Sequence, residues 1–438
     1  MNLKTEILIV GAGAAGLMAA RELAKAGKKV IILEARDRIG GRIFPLDESI
    51  FGYPAQGGAE FVHGEAPITK ALIREAGLTF VLEKGEGWSV RSGELSLWTQ
   101  FFEQNDLLKS KLDALKEDIS VVDFLEQNFG DEKNASFRNS IMKAVEGYDA
   151  GDPKIISALT IREGWFSNED LDNDEDHDGR IKEEYTALLD FLKKECDKYG
   201  VEIYLNNCVK TIERKNDGVS IQTNDGKVFE ASKAVITVPL PVLKDIKFVP
   251  DIKERLEYAS KIGWGYAIKV IIKFKTRWWE RCAEVDLSKM NFILCNEKFL
   301  TWWTQYPVIN SVLTAYMAGP EAEKYKDASE EELLDMALVS ISNALKINKE
   351  VVEKELEIYK VFNWPADPFT QGAYSYTTIY TKDAYEKLVE PIDGKIFFAG
   401  EAYFSGDATA SVEGALGSGL ETAKRILDKQ KQPSSGLA

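Results

Sequence analysis

The apolar positions at the start of the chain follow two different periods. Ile7 to Val10 is a short β-branched run. Gly11-Ala12-Gly13-Ala14-Ala15-Gly16 comes next, and Leu17, Ala20, Leu23 and Ala24 then recur at helical spacing. Past Gly27, Val30-Ile31-Ile32-Leu33 is a second buried-type run that ends at Glu34. The pattern predicts strand, tight turn, helix and strand, a βαβ unit that requires a parallel sheet and a right-handed crossover. The class predicted for this first domain is α/β. From Asp106 to Leu125 the pattern is helical and charged, and Asn168 to Gly179 reads as an acidic loop. Between Tyr204 and Val238 the period becomes two. Val219 to Thr223 alternates, Asn224-Asp225-Gly226 makes a turn, and a buried strand from Ala234 to Val238 stops at Pro239 and Pro241. Tyr266 to Phe274 is a strand by composition. Its parity puts Lys269 on the face of Lys273 and opposite Ile268, Val270 and Ile272, so periodicity alone makes Lys269 a solvated lysine. Lys395 to Gly400 is a late strand, followed by a helix with Val412, Ala415, Leu416, Gly419, Leu420 and Ala423 on one face.

The chain has 438 residues, 45% hydrophobic and 29% charged, enough for two or three domains with a substantial core. Its net charge of -16 argues against duplex nucleic acid and anionic membranes as partners, and favours a cationic small molecule. Cys196, Cys208, Cys282 and Cys295 form no C-x-x-C pair, so a disulfide framework or zinc ribbon is not suggested. The N-terminus lacks a signal-peptide pattern, and no apolar run approaches the roughly 20 residues of a spanning helix. A soluble cytoplasmic protein is expected, and a homo-oligomer is left open.

Gly11, Gly13 and Gly16 form a G-x-G-x-x-G set in full context, with a strand before, a helix after, a second strand, and Glu34 to accept from a ribose diol. Gly11 permits the turn, Gly13 lets backbone approach a pyrophosphate at the helix N-terminus, and Gly16 lets helix and sheet pack closely. NAD and FAD share this fingerprint. The loop Ala35-Arg36-Asp37-Arg38-Ile39-Gly40-Gly41-Arg42 selects FAD, because it can lay backbone and guanidinium along an extended pyrophosphate.

Glu34 to Arg42, together with Gly57-Gly58-Ala59-Glu60-Phe61-Val62-His63-Gly64, resembles the flavin-containing amine oxidases, a family of monoamine, polyamine and spermine oxidases and flavin histone demethylases. The resemblance recurs at Thr237 to Leu243, Trp264 to Phe274, Trp364 to Tyr376 and Phe398 to Gly419. It implies a Rossmann-like FAD-binding domain from residues 1–75, 200–250 and 390–430. Interleaved with it would be an α+β substrate domain, a mixed sheet flanked by helices, from 76–199 and 251–389, with a flexible tail at 431–438. It also implies an FAD-dependent oxidase of a primary amine, diamine or polyamine, giving an imine and hydrogen peroxide from O2.

The resemblance assigns cofactor contacts to Gly11, Gly13, Gly16, Glu34, Arg36, Gly41, Arg42, Gly58, Ala59, Val209, Trp364, Gly400, Glu401 and Val412. Glu401 would bind ribityl hydroxyls, and the helix from Val412 would point its N-terminus at the flavin. Tyr374 falls where the family places one wall of an aromatic cage, and Ser411 stands where the opposite wall would be, so the cage is half built. Ala373 occupies the position of the flavin-linking cysteine of monoamine oxidases, so the FAD should be noncovalent. Lys269 matches the lysine that holds a water against flavin N5, which replaces its solvated reading. His63 matches a substrate-side histidine of polyamine oxidases, and Glu60 has the charge to pair with a cationic nitrogen of the substrate. Asp174, Asp176, Asp178 and Gly179 fit half of a calcium loop, but Tyr185 stands where a bidentate glutamate is needed, so no metal is expected. An L-amino-acid oxidase, for which Arg162 would be the carboxylate clamp, stays open, as do a flavin dehydrogenase and a silent flavoprotein scaffold.

Overall fold

The computed structural model describes residues 2–91, 93–97, 104–166, 178–281, 285–406 and 408–428. β1 (Asn2–Val10) leads into α1 (Ala14–Lys25) and β2 (Val30–Leu33), as the change of period predicts. β1 lies between β2 and the strand Val228–Ile236, parallel to both. β2 pairs in parallel with Glu202–Tyr204. The Val228–Ile236 strand divides its other edge. Residues 228–231 pair antiparallel with the Gly218–Thr223 strand, and 234–236 pair parallel with Ile396–Phe398. The parallel strands read as continuous apolar runs because both faces are covered. Ile7, Ile9 and Ile32 pack toward α1 and the C-terminal helix Val412–Asp428, while Leu8, Val10, Ile31 and Leu33 join a separate cluster.

The layer over this sheet draws on more of the chain than the expected ranges. Helix Glu184–Lys198, inside the range 76–199 expected for the second domain, contributes Leu188, Leu189, Leu192 and Cys196 to the cluster that holds α1. Helix Thr381–Val389 likewise places Ala384 and Leu388 in the cluster with Ile396 and Phe398. Periodicity reveals the apolar stripe of each helix, but not which sheet it covers. The segment Asn168 to His177 and the tail 431–438 lie outside the described residues.

The second sheet has seven strands in the order Leu356–Asn363, Ala267–Phe274, Val312–Ala318, Thr301–Trp303, Met290–Leu294, Glu86–Arg91 and Glu94–Leu97. Neighbours are antiparallel except Met290–Leu294 with Glu86–Arg91. Ile268, Val270 and Ile272 pack with Leu333, Ala337 and Ile341 of helix Glu330–Ala344. The other face carries Lys269, Ile271 and Lys273. It is covered too, since Ile271 packs with Phe51, Tyr53 and Ala55. Among the described residues no helix is long and apolar enough to cross a membrane.

Candidate active site

Two kinds of glycine shape the turn after β1. Gly11 has φ +109°, and a Cβ there would lie 2.5 Å from the Thr237 hydroxyl, which donates to the Val10 carbonyl at 2.8 Å. A Cβ on Gly16 would lie 2.0 Å from the Gly11 carbonyl oxygen, whereas one on Gly13 would meet nothing within 4 Å. Gly13 caps α1 and lines a cavity of about 2170 Å³. Glu34 is buried at the same end, accepting from the Ala12 N–H at 2.7 Å and the Arg36 N–H at 2.9 Å. Val209 lies on the wall of this cavity.

The three arginines after Glu34 bind protein acceptors. Arg36 clamps both oxygens of Asp367, at 2.9 and 2.6 Å. Arg38 donates to the carbonyls of Ile39, Gly41 and Ile43, and burial pushes its pKa down to about 10. Arg42 reaches across the fold through Nη1 to the Ala373 carbonyl at 2.8 Å and to Glu401 Oε1 at 2.7 Å. Glu401 is buried, and it also accepts from the Ser375 hydroxyl. Its carboxylate is thus held by Arg42 and Ser375, in addition to any ligand it meets in the cavity. Gly41 has φ +59°, and Gly58 approaches so closely that a Cβ would lie 1.7 Å from the Arg42 carbonyl oxygen. Ala59 donates its N–H to that carbonyl. Trp364 donates to the Gly57 carbonyl, and Gly400 to the Ser418 hydroxyl. Val412 begins the C-terminal helix, and the Ser411 hydroxyl accepts from the Gly414 N–H as its cap.

The far end of the cavity is aromatic and charged. The Tyr374 hydroxyl meets the Tyr316 hydroxyl at 3.0 Å and donates to the Tyr148 carbonyl at 2.9 Å. Trp303 lies beside Tyr316, with ring centroids 5.8 Å apart. The wall opposed to Tyr374 in sequence therefore remains a serine, while Tyr316 and Trp303 add rings from neighbouring strands. Lys269 overturns the solvated reading given by periodicity. Its side chain is 4% exposed. Its ammonium donates to Gln56 O at 2.6 Å, Glu60 Oε2 at 2.8 Å and Gly58 O at 3.3 Å.

Glu60 pairs with cationic nitrogens as its charge suggests, but they belong to the chain itself. Besides Lys269, it accepts from Arg180, from Gln305 Nε2 at 2.6 Å and from the Trp303 indole at 3.2 Å. Burial alone would raise its pKa, yet Lys269 and Arg180 outweigh that and hold the carboxyl well below the usual range. Arg180 also pairs with Glu83 at 3.2 Å. His63 Nδ1 lies 2.8 Å from Asp178, which also accepts from the Gly64 N–H. Burial opposes the charge on His63, but Asp178 more than compensates and raises its pKa. Arg162 pairs with its neighbour Glu163.

Asp149, at the end of helix Ala135–Tyr148, lines the same cavity. One of its carboxylate oxygens is shielded and without a hydrogen bond. Burial pushes its pKa up to about 7, which the Trp165 indole offsets only in part. Asp149, Arg180, Trp303, Gln305 and Tyr316 escape a reading of the sequence, because no motif surrounds them. The only signal was the aromatic run Trp302-Trp303, with Tyr316 paired to Lys269 across the sheet.

Polyamine oxidase 2 of Arabidopsis thaliana is 28% identical over 467 residues, covering 97% of this chain and 89% of that protein. Putrescine oxidase, solved as the wild type bound to putrescine, superposes with a TM-score of 0.80 at 22% identity, over 98% of this chain and 100% of that one. Cyclohexylamine oxidase from Brevibacterium oxydans does so with 0.79 at 18% identity, over 98% and 100%. At such identities the two structures speak for the fold. The model of the family described as flavin containing amine oxidoreductase matches residues 14–427, from the first turn of α1 to the last turn of the C-terminal helix, and the chain belongs to that family.

Proposed function

We propose that the chain holds FAD noncovalently and oxidises an amine group of an aliphatic diamine or polyamine to an imine, with O2 reduced to hydrogen peroxide. The cofactor end fits a dinucleotide on its own geometry. The space beside Gly13 is free of protein atoms, the N–H groups of the first turn of α1 suit a pyrophosphate, and Glu34 keeps further lone pairs for a ribose diol. A cavity of about 2170 Å³ is more than twice the ~1,000 Å³ of a large ligand pocket, which leaves room for cofactor and substrate together. Ala373, buried on the cavity wall, offers a methyl group and no thiol. FAD held there would supply the two-electron oxidation of the carbon beside the nitrogen and the return of those electrons to O2.

The chain's own residues prepare the amine. The rings of Tyr374, Tyr316 and Trp303 exclude water and favour an uncharged nitrogen at the reacting end. Lys269 supplies a positive charge at the same end. The observation that carries the diamine reading is Asp149, a carboxyl that lines the cavity together with Glu83 and Asp178. Burial raises the pKa of Asp149, and a cation in the cavity beside it favours its charged form, a place that a second ammonium group of the substrate fills.

A peroxide-coupled screen of mono-, di- and polyamines and α-amino acids on purified protein tests the proposal. Turnover is expected to favour di- and polyamines, and acid precipitation should release the FAD. Equal or better turnover of monoamines or amino acids would overturn the substrate class, and flavin that stays with the precipitate would overturn the noncovalent site.

A further inference from the structure

The Lys269 ammonium has three hydrogens and three protein acceptors, Gln56 O, Gly58 O and Glu60 Oε2. Glu60 in turn receives donors from three separate parts of the chain. Lys269 comes from the Ala267–Phe274 strand, Trp303 and Gln305 from the end of the Thr301–Trp303 strand, and Arg180 from the strand Gly179–Ile181. The indole has one N–H, and its bond to Glu60 Oε2 sets the direction of that edge, while the Lys269 nitrogen sits over the ring 5.1 Å from the centroid. We propose that Glu60 is a positioning residue for the amine oxidation: it holds the Lys269 ammonium and the Trp303 ring in one unit and so fixes where the Lys269 charge stands.

The charges around this unit support such a role. Lys269 and Arg180 are balanced by Glu60 and Glu83, all buried or nearly so. Glu184, the next carboxyl, is pushed up by burial and then by Glu60, which works against a further counter-charge here. Tyr53, buried beside them, is held neutral in the same way. Removing the Glu60 charge leaves one uncompensated cation in a dry site, and removing Lys269 as well restores the balance. A carboxylate that bound the substrate directly would not show that pairing.

The inference rests on the amine-oxidase reading, and a double-mutant cycle separates the two. Wild type, Glu60→Gln, Lys269→Met and the double variant are compared for kcat, KM, and the melting temperature of the FAD-stripped protein. Glu60→Gln is expected to lower kcat by about tenfold or more with KM within about threefold, and to add less than about twofold in the Lys269→Met background. The stripped double variant should melt above stripped Glu60→Gln. A KM raised about tenfold at unchanged kcat would make Glu60 a substrate contact, and losses that multiply in the double variant would detach it from Lys269; either overturns the proposal. Should Glu60→Gln not fold, the double variant against Lys269→Met decides: equal kcat supports the proposal and a further loss overturns it. If the wild type oxidises no amine, the oxidase reading fails, while the melting cycle still decides whether Glu60 and Lys269 act as a pair.

Discussion

Gly16 and Gly11 touch so closely that a single methyl group on Gly16 would sit 2.0 Å from the Gly11 carbonyl oxygen. Three residues earlier, Gly13 faces open cavity and has φ −76°, a conformation any residue adopts. The two glycines are therefore required for different reasons, one by the fold and one by a ligand. Gly16→Ala should lower the melting temperature of flavin-free protein, in the range of about 1 to 3 kcal/mol typical of an overpacked contact. Gly13→Val should leave that temperature nearly unchanged and abolish flavin retention. Normal flavin content in purified Gly13→Val would remove the pyrophosphate from this turn.

Asp149 should impose its titration on both stability and binding. With a folded pKa raised to about 7 from 3.8, it holds a proton that the unfolded chain releases, so its effect on stability turns unfavourable as pH rises from about 4 to about 7. Asp149→Asn should flatten the melting profile over that window and raise the melting temperature at pH 8. The same change should raise KM for a diamine by roughly ten- to a hundredfold, since a buried charge partner of the substrate is lost. An unchanged KM would move the second ammonium elsewhere in the cavity.

The His63–Asp178 pair has a window bounded on both sides. Because the folded pKa of His63 is raised, its contribution is complete below about pH 6.5 and fades as pH rises through the raised value. Asp178 is lowered, burial opposing and His63 prevailing, so its share is present above about pH 3.8 and is lost as pH falls through the lowered value. The chain has two histidines, which makes imidazole NMR titration direct. Asp178→Asn should bring one of the two midpoints down toward its unperturbed value. Two unmoved midpoints would show that the pair does not form in solution.

Tyr374 separates ring from hydroxyl. Tyr374→Phe breaks bonds to Tyr316 and the Tyr148 carbonyl, at a cost of about 1 to 3 kcal/mol in stability, but keeps the aromatic wall. Turnover should stay within about threefold, whereas Tyr374→Leu should lose about tenfold or more in kcat/KM. Equal losses in the two variants would place the chemistry on the hydroxyl.

The cofactor end was legible because its signals are local. The turn, the helix and Glu34 lie within one βαβ unit, and Gly16 packs against Gly11 five residues before it. The reacting end was not. Lys269 looks solvated by parity because period-two reasoning assumes that one face of a strand meets water, and here residues 51–60 cover that face. Glu60 has the charge to meet an amine, and only the folded chain brings Lys269 and Arg180 to it from 209 and 120 residues away. Asp149 carries no motif at all. Its meaning lies in its place on the cavity wall, which only the folded chain gives it.

The bond from Arg42 to Glu401 spans 359 residues. The loop that follows β2 therefore leaves the ribosome long before its partner exists, as does the edge of Val228–Ile236 that awaits Ile396–Phe398. A chain that ends before Ile396 has the glycine turn, yet neither the closing strand nor the acid that draws Arg42 across the fold. Flavin retention should therefore draw on two segments far apart in sequence, and a chain ended before Ile396 is expected to purify colourless.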